Sequence, residues 1–129
     1  MIWDCVMGAD SDIKKAVQNK SKAFALRTIK LYGYLKESKK EYVISKQLLR
    51  SGTSIGANVR EAQRGQTRAD FFAKLFIALK EADESAYWLE LLHESGYLNE
   101  IEYNSIYNDL WEVICLLVKI TKIQGLMKF

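Results

Sequence analysis

The 129-residue chain has no proline, one histidine (His93) and two cysteines. Interior proline costs a helix about 3 kcal/mol, so its absence permits long uninterrupted helices. Carboxylate–histidine metal bundles need two Glu-x-x-His motifs and two further glutamates, and here Glu90-Leu91-Leu92-His93 stands alone. Any serine or cysteine nucleophile would have to use the same His93, and no motif places one beside it. Glu81, Asp83 and Glu84 point in three directions on a helix, which suits a solvated face better than acid–base work. Cys5 and Cys115 are far apart, so neither a disulfide nor a zinc site is expected. Cys115, inside the apolar run from Val113 to Val118, reads as a small buried hydrophobe. No apolar run approaches about 18 residues, which argues against a membrane span. No charged n-region precedes an apolar stretch of a signal-peptide type. The expectation is a cytoplasmic protein without cofactor, metal or catalytic residues.

The chain has nearly balanced charge, at a formal +3, but the two signs are segregated. Between Ile13 and Arg68 there are 14 Lys/Arg against 3 Asp/Glu, and between Glu81 and Glu112 there are 9 acidic residues and no Lys or Arg. Residues 1–10 read as a flexible arm, and 11–129 as one domain large enough to bury a core without staples.

Four segments carry helical periodicity. Ser11 or Asp12 can cap the first, which runs to about Lys36 with Val17, Phe24, Leu31 and Leu35 inward. Ser38-Lys39-Lys40-Glu41 has the spacing of a capping box and predicts a second helix from there to about Gln66. Thr67-Arg68-Ala69-Asp70 opens a third, which Gly96 ends in the left-handed position. Asn99 to Glu102 opens a fourth, with Tyr103, Ile106, Leu110, Val113, Leu117 and Ile120 at heptad-like spacing until Gly125. Short connections favour antiparallel neighbours, so the fold class is all-α, an antiparallel up-down-up-down four-helix bundle.

The third helix is apolar on two faces. At about 100° per residue, Phe71, Leu75, Ala78, Leu79, Ala82, Ala86 and Leu89 form one stripe, whereas Ile77, Trp88 and Leu91 gather on the far side. Large exposed apolar patches mark partners, which makes Ile77, Trp88 and Leu91 candidate anchors of a homo-oligomer. Glu81 and Glu84 beside them are expected to meet the basic stretch of a neighbouring copy.

On the second helix Lys39, Lys46, Arg50, Arg64 and Arg68 fall within about 40° of one line, a ridge roughly 45 Å long. Lys22 and Arg27 add to it from the first helix. Such a field attracts RNA or DNA, because each neutralised phosphate releases counterions; equally, it serves solubility or subunit pairing. Between ridge and core lie Asn58 and Glu61, expected to satisfy a helix end or an arginine. Gly52 and Gly56 each cost a helix about 1 kcal/mol, which close packing against another backbone explains more simply than a ligand groove.

The residues Gln47 to Leu98 resemble the bacterial four-helix-bundle protein family. That family includes the ribosomal RNA intervening-sequence proteins and is related to accessory proteins of diversity-generating retroelements. Its Ser-Ile-x-Ala-Asn-x-x-Glu signature matches Ser54, Ile55, Ala57, Asn58 and Glu61, and its Asp-Phe element matches Asp70 and Phe71. Lys80, Glu81, Ala82 and Glu84, and the block Tyr87 to Leu92, match further. Many relatives have Glu-Gly where this chain has Glu61-Ala62. The resemblance implies an up-down bundle assembling as a ring, commonly a pentamer, with no established enzymatic activity. For the retroelement relatives it implies association with nucleic acid and with a reverse transcriptase. Two functional readings remain: a homo-oligomeric scaffold that associates with nucleic acid, and a structural or protein-interaction module with no such partner.

Overall fold

A computed structural model describes residues 11–127, with side-chain surroundings for 12–122. The expected arm at 1–10, Cys5 and the Ser11 cap lie outside the described side chains. Among the described residues the chain is all helical: α1 (Ser11–Ser38), α2 (Ile44–Gln63), α3 (Arg68–Glu94) and α4 (Glu100–Met127). Each helix packs against two others, α1 and α3 both touching α2 and α4, so the four enclose a single core. Contacting residues run in opposite order, as in Lys20–Glu112 and Arg27–Asp109, Ser21–Gly56 and Thr28–Gly52, or Arg50–Glu84 and Glu61–Lys74. The helices therefore alternate in direction.

The core follows the inward stripes. Val17, Phe24 and Leu35 of α1, Leu48, Ile55 and Val59 of α2, Phe71, Leu75 and Leu89 of α3, and Leu110, Val113 and Leu117 of α4 are all buried. Each such side chain stabilises the fold by about 1.5–3 kcal/mol relative to exposure. Small polar groups fill the closest approaches. Ser51 and Ser85 meet at 2.7 Å between α2 and α3; with one proton each, the pair makes this bond and one bond to a carbonyl, that of Glu81 at 2.9 Å or of Leu48 at 3.4 Å, so neither hydroxyl is left unsatisfied.

Two of the three expected caps between helices form. Thr67 accepts from the Asp70 amide at 3.0 Å, and Asn99 and Glu102 satisfy each other's amides reciprocally. Gly96 turns the chain at φ 88°. The box at Ser38 does not form, because α1 continues through Ser38 and Lys40 takes the left-handed turn at φ 57°. Glu41 then caps α2 unaided: its carboxylate accepts from the amides of Val43, Ile44 and Ser45 at 3.0, 3.0 and 2.6 Å. Burial opposes ionisation of Glu41, but these amides and Ser45 outweigh it and hold its carboxyl below the usual value.

Three further expectations are corrected. The second helix ends at Gln63 rather than Gln66, where the amides of Arg64 and Gly65 turn back to the Glu61 and Ala62 carbonyls at 3.0 and 3.1 Å. The fourth runs past Gly125 to Met127. Cys115 is a free, exposed thiol rather than a buried one. It sits half a turn from Val113 and Leu117, which take the inner face of the same apolar run.

Candidate nucleic-acid interface

The expected cationic ridge does not lie on one helix. Lys39 is in the α1–α2 connection, Lys46 and Arg50 are on α2, Arg64 caps its C-terminus, and Arg68 is the first residue of α3. Lys39 leans over the Tyr34 ring at 6.0 Å. Arg50 reaches across to α3 and pairs with both Glu84 and Glu81; the hydrogen bond it donates to Glu84 leads in raising its pKa further. Glu84 also accepts from the Trp88 indole at 3.3 Å. The two acids expected to meet a neighbouring copy are thus held within the chain.

The same internal pairing recurs between α1 and α4. Arg27 donates to the Asp109 carboxylate at 2.7 Å, to the Ser105 carbonyl at 3.0 Å and to the Ser105 hydroxyl at 3.1 Å. Lys20 pairs with Glu112, whose hydrogen bond raises the lysine pKa. The bundle is split lengthwise: α1 carries seven cations against two acids, and α3 three against six. Ion pairs stitch the seam.

Of the candidate cations, Lys22, Lys39, Lys46, Arg64 and Arg68 make no ion pair among the described residues. Lys22 and Arg64 flank an open groove of about 740 Å³ between α1 and α2. Arg60, one turn before Arg64, joins them there and was missed because it lies about 80° from the Arg50 line. Its only sequence signal is an i, i+4 relation to Arg64.

The signature residues divide by role. Ile55 and Phe71 are core, and Asp70 belongs to the cap of α3. Ser54 bonds the Arg50 carbonyl, and the Asn58 amide bonds the Ser54 carbonyl at 2.8 Å. Glu61 pairs with Lys74 of α3 at 3.0 Å, so Asn58 and Glu61 engage neither each other nor an arginine. Ala57 is exposed on the groove.

The two glycines also separate. A Cβ on Gly52 would lie 2.6 Å from Thr28 Cγ2, so close packing with α1 excludes one. On Gly56 its nearest neighbour would be the Ser21 carbonyl at 3.4 Å, an ordinary contact. Gly56→Ala is expected to raise stability by about 0.5–1 kcal/mol, read as a higher urea midpoint, because it improves the helix without a clash.

On the outer face of α3, Ile77 is exposed, Trp88 is half-buried against the core, and Leu91 is half-buried. Phe76 and Tyr87 join Ile77 as exposed apolar neighbours that the stripe did not include. Leu26 and Ile29 of α1 and Trp111 of α4 are each at least half exposed. His93 is stacked on Tyr103 at 4.3 Å at the α3–α4 end, and no cluster of His, Cys, Asp or Glu fit to hold a metal exists among the described residues. Among them, too, no helix is long and apolar enough to cross a membrane.

Fold and surface define a four-helix bundle with charge-segregated halves and unburied apolar side chains. The chain belongs to the 23S rRNA-intervening sequence protein family, which it matches over residues 14–119. It is similar to the crystal structure of a protein of unknown function from the S23 ribosomal protein family of Bacteroides thetaiotaomicron. That likeness has 54% identity, a TM-score of 0.84, and covers 85% of this chain and 98% of that one. None of the curated proteins matches significantly.

Proposed function

We infer that the protein is a non-enzymatic bundle that self-assembles through its outer apolar side chains and associates with nucleic acid through its basic half. One observation carries this reading. Among the described residues Lys22, Lys46, Arg60 and Arg64 of the α1–α2 half make no ion pair, while Phe76, Ile77, Tyr87 and Trp111 stay exposed elsewhere. Such a half attracts polyanions, because each neutralised phosphate releases counterions. Unlike halves of successive copies meet head to tail, a heterologous contact that closes into a ring when the rotation permits, and a pentamer is the assembly the family resemblance favours. Ile77, Trp88 and Leu91 contribute to that contact.

Light scattering on a sizing column at micromolar concentration is expected to give several times the 14.9 kDa protomer mass. Ile77→Glu with Tyr87→Glu is expected to shift it toward one protomer with the helical signal unchanged. A wild-type mass of one protomer would sink the assembly. The capture of Arg27, Arg50 and Lys20 by internal acids favours the second reading, an interaction module without a polyanion partner. Salt-insensitive or absent binding of labelled RNA and DNA decides for it.

A further inference from the structure

We propose that the α1–α2 groove is a clamp for one phosphodiester strand, held by Lys22, Arg60 and Arg64 through its phosphates with the bases turned outward. The proposal rests on the nucleic-acid reading above and names its site. The groove spans Thr53 to Arg64, about 17 Å of helix, the length of about five nucleotides of one strand. The groove is a furrow over two helices in contact, whose axes lie about 8–10 Å apart, so its width suits one strand and not a duplex.

The lining specifies the chemistry. The three cations face the groove without ion-pair partners among the described residues, and the one acid there, Glu61, is already matched by Lys74 at 3.0 Å. Side-chain amides of Gln18 and Asn19 supply further donors for phosphate or sugar oxygens. No aromatic ring lines the groove, so bases find no stacking platform and the site reads the backbone alone. The floor is independent evidence. Gly56 weakens its helix although an added Cβ would meet nothing nearer than 3.4 Å. Packing does not demand a glycine at that position. A bare floor does what a side chain there would prevent, letting a ligand's backbone lie close to the helix.

The test is fluorescence anisotropy of labelled 12-nucleotide oligo-uridine and oligo-thymidine against the full chain, from about 50 to 200 mM salt. Lys22→Ala/Arg60→Ala/Arg64→Ala is expected to weaken binding at least tenfold at low salt. It should also flatten the logarithmic salt slope by about 2, three contacts at roughly 0.7 each. The charge-matched Lys80→Ala/Lys119→Ala/Lys122→Ala is expected to lose less than threefold. Gly56→Ala, which should gain stability, is expected to lose affinity, a divergence that a purely structural glycine would not produce. A 12-base-pair duplex should compete poorly. The clamp is overturned, with the basic-half reading intact, if duplex competes as well as single strand or if Lys39→Ala/Lys46→Ala/Arg68→Ala costs more than the groove triple. Absence of any wild-type binding at low salt removes the underlying reading instead.

Discussion

Gly52→Ala is expected to lower the unfolding free energy by about 1–3 kcal/mol, although alanine is the better helix former by about 1 kcal/mol. The added carbon falls 2.6 Å from Thr28 Cγ2 and 3.2 Å from its Cβ, and Thr28 is itself buried between the helices. A β-branched side chain so confined cannot swing away, so α1 and α2 must separate. Thr28→Ala removes the obstructing methyl at the cost of the hydroxyl's 2.7 Å bond to the Ala25 carbonyl. Urea melts of the two single variants and the double should show a favourable coupling of about 0.5–3 kcal/mol. Equal behaviour of Gly52→Ala and Gly56→Ala would show that the α1–α2 approach is looser than 2.6 Å implies.

Glu41→Ala is expected to cost about 2–3 kcal/mol at neutral pH, since three amides at the start of α2 lose their acceptor where the backbone is shielded from water. The direction of the Glu41 shift fixes the pH dependence. Its folded pKa lies below the unfolded value of about 4.3, so its contribution is complete above that value and fades as pH falls through the folded one. The gap between wild type and Glu41→Ala should therefore narrow in chemical melts below about pH 4. A gap unchanged between pH 7 and pH 3 would mean that the charge has no part in the cap.

Periodicity made the four helices legible because each presents one continuous apolar stripe to its neighbours. Thr67, Asn99 and Gly96 were legible as boundaries because each carries a local hydrogen-bond or dihedral preference that needs no tertiary partner. Ser38 misled for the same local reason. Its spacing to Glu41 suits a capping box, but Leu35 is drawn into the core and carries α1 past Ser38, leaving Glu41 to work alone. Cys115 misled because an unbroken apolar run hides its own period. The surface was least legible. Sequence gives the sign of each charge but not what stands across the interhelical seam, so Arg50, Glu81 and Glu84 looked available to other molecules while they satisfy one another. Arg60 emerges only once Lys22 of another helix is brought to the same groove.

Because the cationic pair of helices and the anionic pair lie side by side, the molecule carries a permanent electric dipole directed across its long axis rather than along it. A nearby polyanion exerts a torque on such a body and rotates the α1–α2 flank forward before contact. Encounter orientation is thus preselected at low ionic strength, and the advantage fades once the Debye length falls to about 10 Å near 0.1 M salt.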